Sequence, residues 1–333
     1  MSDARELLRD YWKAPVIAAA ASLGIADRMD GVVEAGALAD SIGADHLSLV
    51  RLLHALAALG LVQDVGDGWF ALTEAGRALR SDHPQGVRGM ARHIGEMLLP
   101  AFLQLGGSVR TGVPPPGIKH GPDGFAALID NPAEAHIFNQ SMVDGSRRIA
   151  ARAADAYDFS RFRQVMDVGG GYGAVLATLL QRHAALEGSI LDLAHAREGA
   201  EEYLRAEGVA DRARFIEGSF FDSVPATADC YLLKYIIHDW NDEYAGQIVA
   251  RVGEAVRAAG ATLILIERIL PGRFEPKPEH QSSAASDLTM MLWGGRERTE
   301  AQFADLFAGA GLRLSHTAPI GEGHYVIEAV SAS

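Results

Sequence analysis

Residues 165–173 read Val-Met-Asp-Val-Gly-Gly-Gly-Tyr-Gly, an apolar run that meets an acid and then breaks into glycines at Gly169, Gly171 and Gly173. This spacing predicts a strand, a Gly-rich turn and a helix. Such a turn lets backbone approach a nucleotide-type ligand more closely than any larger residue allows. Alone it defines a mononucleotide or dinucleotide site and leaves the chemistry open.

The chain beyond Arg163 fits that start. Expected strands are Val165–Val168, Ser189–Leu193, Arg214–Glu217, Asp229–Lys234 and Thr262–Glu267. A helix is expected at Ala174–Arg182, and a long one runs from an Asp242 cap to before Gly260. Thr299 with Gln302 forms a capping box for Ala301–Ala310, and strands near Leu312–Thr317 and Tyr325–Val330 follow. The alternation implies an α/β fold, a Rossmann-like doubly wound, mostly parallel sheet that binds ligands beyond its C-terminal strand ends.

The first hundred residues read differently. Ala14–Leu23 is helical, Asp45 caps a helix carrying Leu49, Leu52, Leu53, Leu56 and Leu59, and Leu61–Val65 pairs with Trp69–Leu72 as a hairpin. Helix, helix, hairpin is the order of a winged helix. Residues 1–80 hold seven Lys/Arg against eleven Asp/Glu, which favours a dimerising module over a DNA reader. Residues 84–125 read as a connector with a loop near Thr111–Gly124, and a helix resumes from Pro132 to about Tyr157.

The 333 residues allow two domains, and the net charge of −13 weighs against a nucleic-acid partner. The single cysteine, Cys230, sits in an apolar run and reads as core; with no intrachain disulfide possible, a cytoplasmic location is expected. The longest apolar runs are strand-sized, far from the roughly 20 residues of a bilayer span, so no membrane partner is expected.

The expected strands end in residues with chemistry. Asp167 and the glycines end the first, and Asp192, nineteen positions past Gly173, ends the second, where an acid accepts from ribose hydroxyls. Ser219 and Phe220 follow the third, Lys234 ends the fourth with His238 and Asp239 just beyond, and Glu267 ends the fifth. A histidine among Asp239, Glu267 and Glu297 has the neighbours that orient a general base. No second histidine or cysteine stands at ligand spacing nearby, so no metal is expected.

The stretch Leu232–Glu243 (LLKYIIHDWNDE), downstream of VMDVGGGYG and with LDLAH, IERILP and GGRERT, resembles S-adenosylmethionine-dependent O-methyltransferases of the plant caffeate/hydroxyindole type and their bacterial natural-product relatives. The resemblance covers almost the whole chain. It implies a winged-helix dimerisation domain over 1–105, a helical connector over 106–160 that contributes to the acceptor pocket, and a catalytic domain over 161–333. It makes His238 the base, steered by Glu267 and Glu297 with Asp239 alongside. It implies cofactor contacts from Ser146, Asp167, Gly169, Gly171, Asp192, Leu193, Ser219, Phe220, Lys234 and Trp240. Phe138, Met142, Met290 and Trp293 would line the pocket of a small hydroxylated acceptor. S-adenosyl-L-homocysteine would be the product, and a homodimer through the N-terminal domain the assembly. Ser219 and Phe220 stand where plant members carry an acid and a methionine, and Gly145 replaces a bulky residue. The acceptor pocket is therefore not that of a lignin-type enzyme. Phe274–Ser286 reads as a mobile loop beside it.

The resulting expectation is in-line methyl transfer to a phenolic or enolic oxygen. A phenol titrates near ~10 and an ordinary histidine near ~6.5, so proton removal should accompany attack rather than precede it. The rival is the same fold doing cofactor-assisted hydroxylation, decarboxylation or a pericyclic step. A winged-helix ligand sensor and a nicotinamide-dependent dehydrogenase are weaker alternatives, disfavoured by the acidic N-terminal domain and by a GxGxG turn with no hydride-transfer partner.

Overall fold

A computed structural model describes residues 3–83, 86–118 and 131–332, without the side chains of 132–134. Two compact units are formed: Met1–Pro100 with His136–Gly145, and Ala101–Ala135 with Ser146–Ser333. The stretch 106–160 contributes to both.

In the first unit, helices Ala4–Arg9, Lys13–Ser22, Ala35–Ile42 and His46–Ala58 accompany a three-stranded antiparallel sheet. Its strands are β1 (Val32–Glu34), β2 (Val62–Gly66) and β3 (Trp69–Leu72), in the order β1-β3-β2. Asp45 caps its helix as expected, accepting from the Ser48 N–H at 2.9 Å. The helix then buries Leu49, Leu53 and Leu56 with Phe70 of the sheet. Strand β1 and the helix after it are additions to the expected hairpin. The connector holds short helices Arg88–His93, Leu99–Phe102 and Leu105–Thr111, with a π-helical turn at Ile94–Leu98. Of the loop expected near Thr111–Gly124, residues 119–124 lie outside the described residues. The helix resumes at Pro132–Ala156.

The second unit is built on seven strands: β4 (Gln164–Val168), β5 (Glu187–Asp192), β6 (Ala213–Glu217), β7 (Cys230–Lys234), β8 (Thr262–Arg268), β9 (Leu312–Gly321) and β10 (His324–Ser331). Their order is β6-β5-β4-β7-β8-β10-β9, and β10 alone runs opposite to the rest, pairing antiparallel with both β8 and β9. Parallel strands covered on both faces need apolar side chains at successive positions, which is why Val165, Met166 and Val168 are all buried. Alternate residues serve opposite faces. Val165, Ile190, Cys230 and Leu232 join a core with the helix Ala174–Arg182, whereas Met166, Val168, Tyr231 and Leu233 join one with the helices Asp242–Ala259 and Glu300–Gly309. Strand order reverses at β4, between β5 and β7, so the crevice beyond those strands is the switch point.

Two local expectations are corrected. Asn241, not Asp242, caps the long helix: its Oδ1 accepts from the Tyr244 N–H at 3.0 Å. Asp242 occupies the first helical position and is thereby free to face Arg296 and Arg298. Phe274–Ser286 is not a loop throughout, because Pro278 at the helix start opens a helix over Pro278–Trp293. The capping box of Thr299 and Gln302 is present.

Candidate active site

The Gly-rich turn has a steric logic. Gly169, Gly171 and Gly173 all have left-handed φ, at 71°, 56° and 81°. A fourth glycine, Gly170, is required for space, since a Cβ there would lie 2.7 Å from the Asp167 carboxyl carbon. Asp192 holds the turn closed. One of its oxygens accepts from the Gly171 N–H and the other from the Leu193 N–H, both at 2.7 Å. Burial raises its pKa, and these bonds oppose the rise.

Asp167 is buried, and its Oδ2 has no hydrogen-bond partner among the described residues. Burial pushes it up to about 7 despite the pull of Lys234. Lys234, at the end of β7, is itself buried and lowered to about 8 by that burial; its Nζ donates to Ser146 Oγ at 2.7 Å. A buried carboxylate with an open oxygen beside glycines is a receptor for a cationic or donor group.

Past β7 the chain turns through a 3-10 segment, Ile237–Asp239. Its N–H groups converge on Glu267: Oε1 accepts from Ile236, Ile237 and His238 at 3.1, 2.9 and 3.4 Å. Its carbonyls converge on the buried Arg298, whose guanidinium donates to the Ile237 and Trp240 oxygens at 2.9 Å each and to Asp242. One carboxylate and one guanidinium thus satisfy the two polar sides of the turn. Gly295 completes the packing, since a Cβ there would fall 2.2 Å from the His238 carbonyl oxygen.

His238 projects from this turn, buried. Nδ1 lies 3.0 Å from Glu297 Oε1 and 3.5 Å from Glu267 Oε2, and Nε2 lies 3.4 Å from Asp239 Oδ1. Burial favours the neutral ring, but the charges of Glu267, Glu297 and Asp239 and the hydrogen bond to Glu297 outweigh it and raise His238 to about 10. The imidazole is hence far more basic than the ordinary histidine of the sequence-based expectation, and the gap to a phenol closes. Glu297 is held low against its burial by His238 and by Ser286, whose hydroxyl donates at 2.6 Å. Burial pushes Glu267 up, and Asp239 up to about 6. Donor atoms of His238, Glu267 and Glu297 all lie within 4.8 Å, a reach that also suits a metal ion. The hydrogen bonds that occupy Oε1 of each glutamate, and the positive charge the ring carries at neutral pH, count against a metal ion, which needs a neutral imidazole.

The remaining candidates separate by place. Trp240 is buried in an edge-to-face group with Phe220, Phe221 and Tyr244. Ser219 caps its own loop, accepting from the Phe221 N–H at 3.2 Å. Met290 and Trp293 follow Ser286 at helical spacing and share its face of Pro278–Trp293, both half-buried. Phe138 and Met142 belong to the first unit, where Phe138 meets His93 edge-on at 5.9 Å. Sequence reasoning missed Gly170, Tyr235, Ser286, Gly295, Arg298 and His324; the first two, Gly295 and Arg298 stood inside quoted motifs, and only Ser286 and His324 lay outside them.

Comparison with known proteins places this geometry. Family models for the O-methyltransferase domain and the O-methyltransferase dimerisation domain match residues 102–313 and 5–82. The chain is 33% identical to the mitomycin biosynthesis 6-O-methyltransferase of Streptomyces lavendulae, over 96% of this chain and 90% of that protein. Its fold is similar to the crystal structure of LaPhzM, with a TM-score of 0.91, 31% identity, and 99% and 100% of the two chains covered. It is also similar to NcsB1, an O-methyltransferase from neocarzinostatin biosynthesis solved with S-adenosylmethionine and 2-hydroxy-5-methyl naphthoic acid, with a TM-score of 0.78, 32% identity, and 99% of each chain covered. A hydroxylase of Streptomyces purpurascens, aclacinomycin 10-hydroxylase RdmB, is 32% identical over 89% of this chain and 80% of that protein. With a matching family model over most of its length and relatives above 30% identity across nearly all of it, the chain belongs to the S-adenosylmethionine-dependent O-methyltransferase family and carries that family's dimerisation domain.

Proposed function

We propose that this enzyme methylates a phenolic or enolic hydroxyl of a small aromatic secondary metabolite, with His238 as the general base. The observation that carries the reading is the position of His238 among Glu267, Glu297 and Asp239, at the C-terminal ends of the strands that flank the switch point. The NcsB1 complex with a hydroxynaphthoic acid supports the acceptor class. S-adenosylmethionine supplies an electrophilic methyl group when bound. Asp167 fits its cationic methionine end, because a buried carboxylate with an unpartnered oxygen is stabilised by a positive partner. Gly169, Gly171, Asp192 and Leu193 fit the ribose side, with Ser219, Phe220 and Trp240 toward the adenine. Ser146 orients Lys234 through the bond at Nζ.

From the neutral form of its ring, a minor fraction below about pH 10, His238 accepts the acceptor's proton on Nε2, and the carboxylates at Nδ1 and Asp239 stabilise the imidazolium that results. With the ring at about 10 and a phenol near ~10, that transfer is close to thermoneutral. Met290 and Trp293, on the helix that carries Ser286, hold the acceptor. Residues 1–105 act as the dimerising part, 106–160 as the connector and 161–333 as the donor-binding part. The enzyme works in the cytoplasm as a homodimer. Among the described residues, no helix is long and apolar enough to cross a membrane. Exposed Leu7, Leu8 and Tyr11 offer an apolar face on the dimerisation domain.

The test uses methyl-labelled S-adenosylmethionine with a panel of phenols. Label should enter product, and His238→Ala should lower turnover by ~10²–10⁴-fold while cofactor affinity stays within a few-fold. Turnover of the alanine variant at the wild-type rate rejects the base, and conversion of acceptor without label transfer selects the hydroxylase-like rival.

A further inference from the structure

Tyr235 combines three observations that the proposed chemistry does not use. Its φ is 57°, a left-handed backbone that bulky residues rarely adopt. Its ring stacks on His238, with centroids 4.8 Å apart and planes at 23°. Its hydroxyl is bonded to Nε2 of His324, a buried histidine at the start of β10. Strain at this position places the ring where an ordinary strand end would not.

The direction of the anchor follows from His324. Its Nδ1 lies 3.1 Å from the Gly321 carbonyl oxygen, which can only accept, so Nδ1 carries the proton and Nε2 accepts from the tyrosine. Burial, with Arg268 nearby, lowers this imidazole to about 4 and keeps it neutral. The tie therefore persists across the working pH range.

We propose that Tyr235 is a positioning residue for His238: held by its hydroxyl to His324 on the β9–β10 hairpin, its ring fixes the plane of the imidazole and so aims Nε2. The contacts of Nδ1 with Glu297 and Glu267 and of Nε2 with Asp239 constrain the edges of the ring and leave it freedom to tilt. A ring stacked on the face removes this freedom. The stack also favours the protonated imidazole, as a cation over an aromatic face, and Lys234 Nζ approaches the same tyrosine ring at 4.3 Å. The charged groups around the pair are Glu267 and Arg268 from β8, Glu297 from the segment after the helix Pro278–Trp293, Asp239 on the turn, Lys234 from β7 and Glu322 in the hairpin.

This inference rests on His238 being the base, and two variants with two readouts keep the two claims apart. Tyr235→Phe keeps the ring and removes the anchor; Tyr235→Asn tolerates the left-handed backbone and removes the ring. Expected turnover is about 2- to 5-fold lower for Y235F and on the order of 10- to 100-fold lower for Y235N, with acceptor KM within a few-fold. In the ligand-free protein, the His238 titration followed by NMR should shift down by about half a unit in Y235N and stay near wild type in Y235F. His324→Leu should match Y235F, and the double variant should add nothing, because both remove one bond. If Y235N does not fold, that pair carries the test. An unshifted His238 titration in Y235N, Y235F as impaired as Y235N, or additive losses from Y235F and H324L overturn the proposal. An active H238A overturns the base instead and leaves the NMR comparison readable.

Discussion

Glu297→Gln probes the electrostatics of the site with little change of shape. Glutamine retains an acceptor oxygen for the proton on His238 Nδ1 and for Ser286, so what is lost is one negative charge 3.0 Å from the ring. His238 stands at about 10 against an ordinary 6.5, and this rise of about 3.5 units corresponds to roughly 5 kcal/mol at ~1.36 kcal/mol per unit. Three carboxylates produce that rise while also overcoming burial, so removing one should lower the pKa by about 1–2 units. The assay is NMR titration of carbon-labelled histidine in the ligand-free enzyme, with His238→Ala assigning the signal. The pH–rate profile should follow. Below both midpoints the neutral fraction of the ring grows as its pKa falls, so E297Q should be least impaired near neutral pH. On its alkaline plateau, where only base strength counts, it should be slower by on the order of 10-fold. Stability carries the same sign. A folded-state pKa raised above the unfolded value contributes stability that is full below 6.5 and lost as pH rises through about 10. Wild type should therefore lose more Tm than E297Q between pH 7 and pH 10. Coincident titration midpoints in the two proteins, within about 0.3 unit, would refute the assignment of the shift to these carboxylates.

Arg298→Lys should test the clamp on the catalytic turn. A point charge cannot reproduce a planar fork that serves Ile237 O, Trp240 O and Asp242 together, so turnover should fall on the order of 10- to 100-fold and Tm should drop, and a lysine variant with wild-type turnover would show the clamp to be dispensable. Asp167→Asn should separate stability from binding. Because burial raises Asp167 to about 7, its charge costs the ligand-free fold stability once pH rises past 3.8 and through 7, so at pH 8 the asparagine should raise Tm by several degrees while weakening S-adenosylmethionine binding at least ~10-fold by calorimetry; unchanged affinity would remove Asp167 from the cofactor site.

The sequence by itself determined the local elements and their order. Strand-length apolar runs with glycine and capping residues specify strands, turns and helix starts through neighbours a few positions away, so the sheet strands, the Asp45 cap and the Thr299 capping box were legible. The motifs likewise marked His238, Glu267 and Glu297 as partners, because all three follow strand or helix ends that one sheet brings together. Cap choice between adjacent Asn241 and Asp242 was not legible, since it turned on a distant need: Arg298 draws Asp242 away. Only the tertiary structure decided what each charge does. Glu267 spends one oxygen on the backbone of the turn that carries His238, and the His238 ring becomes strongly basic because three carboxylates meet it out of water. The Tyr235–His324 tie spans 89 residues and leaves no periodic trace. Burial and long-range proximity set these energies, and neither is a property of any short window of sequence.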